Sequence, residues 1–197
     1  MDCAKIGKLI AELRKEQNLT QKNIADALGI QNKTVSKWEC GLGCPDLSLW
    51  PELSTILGVD MKQMMEGEIT PNRPDSGNID KVRFYVCPTC GNILVSTGSA
   101  SIFCCGRKLE QTLPMDTPIV PKITVEEMDT DYFTTVDHPM TKEHYLSFAA
   151  YVKSDRIYLH RLYPEQNPSF RFPIIAGGKL YVYCIKHGLM AYSDNQP

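Results

Sequence analysis

Apolar residues recur every three or four positions through the first third of the chain and every second position through most of the rest. Ile6, Leu9, Ile10 and Leu13 make one stripe of a helix. Asn18-Leu19-Thr20 interrupts it, and Thr20 is placed to cap a second helix over 21–28 with Ile24 and Leu28 inward. Gly29 ends that helix, because a left-handed residue costs glycine little. A third helix is expected over 32–40, with Val35 and Trp38 toward the core and Asn32, Lys33, Ser36 and Lys37 on the opposite face. Ser48 is positioned to cap a fourth helix, with Pro51 in its first turn and Leu53, Ile56 and Leu57 inward. A short fifth helix should end near Glu66-Gly67.

The pattern then changes. Residues 68–80 contain two prolines, a glycine and almost no apolar side chains, which predicts an exposed tether. Val82, Phe84 and Val86 alternate into Cys87, and short strands are expected at 93–95 and 102–103. Further alternating runs lie at 119–125, 132–136, 145–152, 156–162, 170–175 and 179–185, separated by Pro and Gly. Seven or so short strands at this spacing predict a β-sandwich. The expected fold is therefore multidomain, α plus β. A five-helix domain (1–67) and a linker (68–80) precede a small cysteine-bearing β-module (81–112) and an immunoglobulin-like β-sandwich (113–197).

Length suits two small domains or one large one, at 197 residues, and a hydrophobic content of 43% is ordinary for a soluble globular protein. The net charge is −2, and residues 1–68 carry 8 Lys/Arg against 10 Asp/Glu. Any nucleic-acid contact must therefore come from a local patch. No secretory signal and no membrane-spanning run is seen, which predicts a cytoplasmic protein without membrane contact. Thiols there stay reduced, so the eight cysteines are expected to serve metal rather than disulfides. Cys3, Cys40 and Cys44 fall outside the metal spacings and are expected to be small buried or helix-end residues that bind nothing.

Cys87-Pro-Thr-Cys90 followed by Cys104-Cys105-Gly106 offers four thiolates to one ion. About 32 residues cannot build a self-sufficient core, whereas a tetrahedral metal supplies about 10 kcal/mol or more of coupled folding energy. Four thiolates suit iron or zinc equally. Cys-Pro-x-Cys-Gly with Cys-Cys-Gly resembles desulforedoxin and the front of desulfoferrodoxins, and that resemblance implies a single redox-active iron. His138, His144, Cys184 and His187 come from two turns and can converge on a second ion, while His160 lies mid-strand and is read as structural.

The exposed face of the third helix carries amide, ammonium and hydroxyl groups and no carboxylate. Such groups suit major-groove base edges, where a good bidentate contact discriminates by roughly 1–3 kcal/mol. The string from Leu19 to Gly41, continuing through Pro45-Asp-Leu, resembles the phage-repressor and Cro (XRE) family of helix-turn-helix proteins. The resemblance implies a phosphate contact from Gln21 and base or backbone contacts from Gln31, Asn32, Lys33, Thr34 and Lys37. It also implies double-stranded DNA as partner and a homodimer on a palindromic operator. Cys40 stands where that family often has a polar phosphate contact.

His-Pro-Met-Thr-x-Glu-His-Tyr with Cys-x-x-His-Gly resembles the catalytic domain of superoxide reductases. In that family one ferrous ion is held by four histidines and an axial cysteine, and superoxide is reduced to peroxide. The resemblance implies His138, His144 and His187 as equatorial ligands and Cys184 as the axial one. The family's fourth histidine belongs to a Glu-Lys-His string. Here the region reads Leu113-Pro-Met-Asp-Thr-Pro-Ile-Val120, placing Thr117 or Pro118 at the ligand position and Asp116 at that of the lysine. A carboxylate in place of the lysine should repel superoxide. Three histidines and one cysteine still suit iron or tetrahedral zinc. The expected function is a transcriptional regulator with an iron-binding, oxidant-sensing back half; the alternative is a superoxide reductase carrying a DNA-binding domain.

Overall fold

The structure is a computed structural model that describes residues 2–74, 77, 81–115, 121–153, 156–175 and 177–193. It divides into two compact units, Met1–Pro71 and Asn72–Pro197.

The first unit is five helices: α1 (Cys3–Glu16), α2 (Gln21–Ala27), α3 (Asn32–Glu39), α4 (Trp50–Leu57) and α5 (Met61–Glu66). The expected apolar stripes form one core in which Ile10, Ile24, Val35, Leu53 and Met64 are fully buried. Caps fall largely where the chemistry puts them. The Thr20 hydroxyl accepts from the Asn23 N–H, and the Asn23 side chain accepts from the Thr20 N–H. The expected Ser48 cap is corrected. A 3-10 turn (Leu47–Leu49) intervenes, and Asp46 accepts from the Ser48 N–H and hydroxyl, leaving α4 to start from Leu49 without a side-chain cap. Gly7 lets α1 and α3 touch backbone to backbone, since a Cβ there would lie 1.8 Å from the Trp38 carbonyl oxygen.

One half-buried ion pair ties three helices. Arg14 on α1 donates to both carboxylate oxygens of Glu39 on α3, at 2.6 and 3.1 Å, and to the Leu19 carbonyl at 2.8 Å. Gln21 on α2 donates to the same carboxylate at 2.8 Å. Burial alone would raise the Glu39 pKa, but the Arg14 and Gln21 hydrogen bonds override it and hold the carboxyl below its ordinary value.

The second unit holds eleven strands among the described residues. Two hairpins, β1 (Arg83–Val86) with β2 (Ile93–Ser96) and β3 (Ile102–Cys104) with β4 (Arg107–Leu109), form the cysteine module. Behind them lie β5 (Ile123–Met128), β6 (Asp131–Val136), β7 (Leu146–Lys153), β8 (Arg156–Arg161), β9 (Ser169–Pro173), β10 (Lys179–Cys184) and β11 (Gly188–Ser193). They make two antiparallel sheets, β11-β10-β7-β8 and β5-β6-β9. Phe170 and Phe172 of the three-stranded sheet pack with Ala149, Tyr151 and Val182 of the four-stranded one, which completes the expected sandwich. Of the first expected sandwich strand, 119–125, the first two positions lie outside the described residues; the strand observed there is Ile123–Met128.

The central strand β7 is buried along almost its whole length. Ala149 and Tyr151 face the sandwich interior, while Phe148, Ala150 and Val152 face outward against Val82 and Phe84 of the cysteine module. Arg161 on β8 donates to the Gly91 carbonyl at 2.9 Å, tying the same sheet to the knuckle. The module and the sandwich therefore share a core.

Removing the shared carboxylate leaves the half-buried Arg14 and Gln21 donors without their acceptor, so Glu39→Ala should lower unfolding free energy by about 1–3 kcal/mol in a denaturant titration. The pair also sets an acid limit. Glu39 is held below its unfolded value, so its contribution is complete above the unfolded pKa and is lost as pH falls through the folded one. Wild-type stability should fall more steeply in acid than that of Glu39→Gln.

Candidate metal centres and DNA-reading helix

The four module cysteines sit at the tips of the two hairpins. The Cys87 N–H donates to the Asn92 carbonyl at 2.9 Å and the Gly91 N–H donates back to the Cys87 carbonyl at 2.8 Å, closing the Cys87–Cys90 knuckle. On the other hairpin Cys104 pairs with Arg107, so Cys105 and Gly106 form a two-residue turn. Both have positive φ, 50° and 72°, as the turn that matches strand twist requires. That turn brings both neighbouring cysteines into reach of one point. The four sulfurs lie within 4.8 Å of one another, with Cys90 and Cys104 at 3.6 Å.

The thiols are electrostatically unequal. The Cys90 N–H above all, helped by that of Thr89, holds the Cys87 thiol down at about 6. Cys105 is pushed up to about 12, first by its contact with Cys90 and then by Cys87 and Cys104. Four sulfurs this close cannot all carry charge without a cation among them, and a coordinating metal deprotonates thiols outright.

The second group comes from two loops. The β6–β7 loop supplies His138 and His144, and a tight turn between Thr141 and His144, with N–H···O bonds of 2.9 and 3.2 Å, folds the latter back. The β10–β11 turn supplies Cys184 and His187. A register shift in the β7–β10 ladder sets Cys184 opposite Leu146 while Tyr183 stands opposite Phe148. Ser147 is thus an extra residue on β7, and the bulge turns Leu146 inward beside Cys184.

His138, His144, Cys184 and His187 present ligand atoms within 4.8 Å of one another. The three imidazoles meet edge to face at centroid separations of 4.6, 4.7 and 5.9 Å. His138 Nδ1 lies 2.6 Å from the Pro139 carbonyl oxygen, which makes it the protonated nitrogen and leaves Nε2 as a lone pair. The Nε2 atoms of His138 and His144 are buried with no hydrogen-bond partner. Burial pushes both pKa values down, and for His144 the neighbouring His187 adds to it. Neutral imidazoles with orphaned buried nitrogens are what a metal would satisfy. The Cys184 sulfur is buried and accepts from the Lys186 N–H at 3.4 Å. Nitrogen and sulfur donors of this kind fit iron and also zinc.

The candidate ligands of the sequence thus fall into two clusters among the described residues, with His160 exposed on β8 beside Phe170 and apart from both. Asp116, Thr117 and Pro118, where the fourth ligand and the lysine were sought, lie outside the described residues. Met115 was missed by spacing arguments. Its N–H donates to the Leu189 carbonyl at 2.8 Å, and its sulfur lies 3.2 Å from where a Cβ of Gly188 would stand, next to His187.

On the first unit, Gln31 stands at the N-cap of α3 without a side-chain capping bond. Gln31, Asn32, Lys33 and Lys37 are exposed and Thr34 is half-buried. Gln21 is engaged inside the domain with Glu39, so a phosphate contact would share its amide.

The helix-turn-helix family model HTH_3 matches residues 10–63. The transcriptional activator BcrR of Enterococcus faecalis is 30% identical over 83 residues, covering 39% of each chain. Desulfoferrodoxin of Syntrophotalea carbinolica is 30% identical over 121 residues, which span 56% of this chain and 94% of that protein. The chain belongs to the desulfoferrodoxin family. Its desulfoferrodoxin region follows a helix-turn-helix domain of the XRE type. A superoxide reductase structure from Treponema pallidum is 20% identical with a TM-score of 0.48, over 56% of this chain and 96% of that one. No described helix is long and apolar enough to cross a membrane.

One expectation about cysteine chemistry is overturned. Cys3 and Cys44, expected to be unlinked buried or helix-end residues, are joined by a disulfide, while Cys40 is free. Spacing could not reveal the pair, because 41 residues and three helices separate the two sulfurs.

Metal analysis of anaerobically prepared protein checks both centres. Cys87→Ser and Cys105→Ser should each remove the first ion and leave the second, while His144→Ala should do the reverse. A red colour with a ferric-thiolate band marks iron at the first centre, and a colourless zinc-loaded protein marks the other metal.

Proposed function

We propose that the chain is a DNA-binding transcriptional regulator whose desulfoferrodoxin region holds non-haem iron and reports oxidant or iron status. The observation that carries this reading is a covalent one. A helix-turn-helix with an exposed cationic and amide face is fused to two convergent ligand sets. Cys87, Cys90, Cys104 and Cys105 hold the first ion, with zinc as the alternative. His138, His144, Cys184 and His187 hold the second. A bound iron would supply a one-electron redox couple at either place. The chain's own residues do the rest: the Cys90 and Thr89 N–H groups favour the Cys87 thiolate, and Pro139 fixes the His138 tautomer.

In this reading Asn32 and Gln31 read base edges, Lys33 and Lys37 neutralise phosphates or bind guanine, and Thr34 and Gln21 fix register. The protein acts as a homodimer on a palindrome inside the cell. The domain limits follow the sequence: reader at 1–67, tether at 68–80, cysteine module at 81–112 and sandwich at 113–197. The superoxide reductase reading is less favoured, because Leu113–Val120 contains no histidine and His160 is not at the site.

Mobility shifts on DNA upstream of its own coding region test the proposal. Asn32→Ala should cost about 1–3 kcal/mol and relax specificity at one position. Lys33→Ala or Lys37→Ala, where the side chain meets phosphate, should weaken binding on all sequences and reduce the salt slope by about 1. Equal affinity for reduced, oxidised and metal-free protein would sink the sensing role and leave the DNA-binding role standing.

A further inference from the structure

Cys3 is the first residue of α1, and Cys44 lies in the loop that leaves α3, the DNA-reading helix. Their Cα atoms are 5.0 Å apart, within the range of ordinary disulfides. Cys3 is half-buried, within reach of a small oxidant, while Cys44 packs against the helical core.

The bond acts where α3 is held. The Gly41 N–H donates to the Trp38 carbonyl and the Leu42 N–H to the Lys37 carbonyl, both at 2.9 Å, so the loop is continuous with the last turn of α3. The same loop lies on the first turn of α1, since a Cβ on Gly41 would stand 3.0 Å from the Ala4 Cα. The disulfide therefore clamps the exit of the reading helix to the start of α1. Without it, that loop is held by packing and hydrogen bonds alone.

A protein that reads duplex DNA works where glutathione and thioredoxin keep thiols reduced, and disulfides in such places are as a rule transient. We propose that Cys3 and Cys44 are a reversible modification site, closed by hydrogen peroxide and opened by a dithiol, that sets how rigidly the reading helix is presented to DNA. One thiolate attacks a peroxide oxygen and breaks the O–O bond, giving a sulfenic acid and hydroxide, which takes up the proton the thiol had released and leaves as water. The second thiol displaces the hydroxyl as a second water and forms the disulfide. The dithiol reverses this by exchange, becoming a disulfide itself. The effect on affinity rests on the DNA-binding reading above; the pair itself needs neither that reading nor either metal centre.

Full-length protein is reduced with dithiothreitol, treated with hydrogen peroxide, alkylated and digested with trypsin. Cys40 and Cys44 share one tryptic peptide, Trp38–Lys62, so Cys40→Ser is mapped in parallel to assign the link. Expected are a peroxide-formed cross-link between the Cys3 peptide and that peptide, and its loss on renewed reduction. The oxidised helical unit should melt about 10 °C or more above the reduced one, as closing a loop of this length predicts. Promoter DNA should bind about 5-fold or more tightly in the oxidised state. Cys3→Ser should abolish both differences. The proposal is overturned if Cys3 and Cys44 stay unlinked under peroxide, if dithiothreitol does not reopen the bond, or if Cys3→Ser keeps either difference. Failure to bind promoter DNA in any state would instead overturn the DNA-binding reading, with mapping and melting still deciding the pair.

Discussion

Strand β7 is the constraint on which the half that presents both ligand sets depends. Its residues from Leu146 to Val152 are buried on both faces, an arrangement an isolated antiparallel sandwich does not need. One face closes the sandwich, and the other receives Val82 and Phe84 from the cysteine module. Phe84 lies three residues before Cys87, and β10, the ladder partner of β7, ends at Cys184. Each ligand set is thus anchored through a short stretch of strand to the same apolar layer. A module of two small hairpins has too little core to stand alone, and here it borrows one.

The sulfur and nitrogen sets differ in how the protein prepares them. The first is built from backbone geometry. A knuckle closed by two N–H···O bonds faces a two-residue turn whose positive φ angles place Cys104 and Cys105 together. The second is built from burial. Two imidazole nitrogens are withdrawn from water with no protein partner, an arrangement that costs free energy unless something else satisfies it. The bulge at Ser147 belongs to this second design, because it lets Cys184 and Leu146 face inward together while Phe148 still faces the module.

Much of this was legible in the sequence, for identifiable reasons. The helical unit was readable because Ile6, Leu9, Ile10 and Leu13 repeat at 3.6 and Thr20 sits where a cap is needed. The clusters were readable because ligand types stand at short spacings, two per turn. Ser48 misled because a hydroxyl before a proline looks like a cap, while the Asp46 carboxylate, two residues earlier, accepts from both the Ser48 N–H and its hydroxyl and engages it in the preceding turn. The shared core of module and sandwich was hidden because Phe148, Ala150 and Val152 look like ordinary strand residues whichever layer covers them. The Arg14–Glu39–Gln21 network was hidden because its members are 7, 18 and 25 residues apart and individually unremarkable on polar helices.

Cysteine makes the general point most sharply. Seven of the eight cysteines divide into three chemistries here, with Cys40 left free, and the division follows neighbours rather than the residue itself. Cys87 is given a thiolate by backbone N–H groups, Cys184 is sunk beside three imidazoles, and Cys3 meets Cys44 across the end of the reading helix. A compartment argument expects no disulfide at all, and spacing leaves Cys3, Cys40 and Cys44 without a role. Local geometry separates them, because a disulfide needs only two Cα atoms at about 5–6 Å, whereas a metal centre needs three or four donors aimed at a single point. The helical unit meets the first requirement, and among the described residues the second is met only in the β-rich unit. The two kinds of sulfur chemistry therefore fall in separate compact units, a thiol pair open to two-electron oxidation in the helix-turn-helix unit and donor sets that could hold a one-electron metal couple in the other.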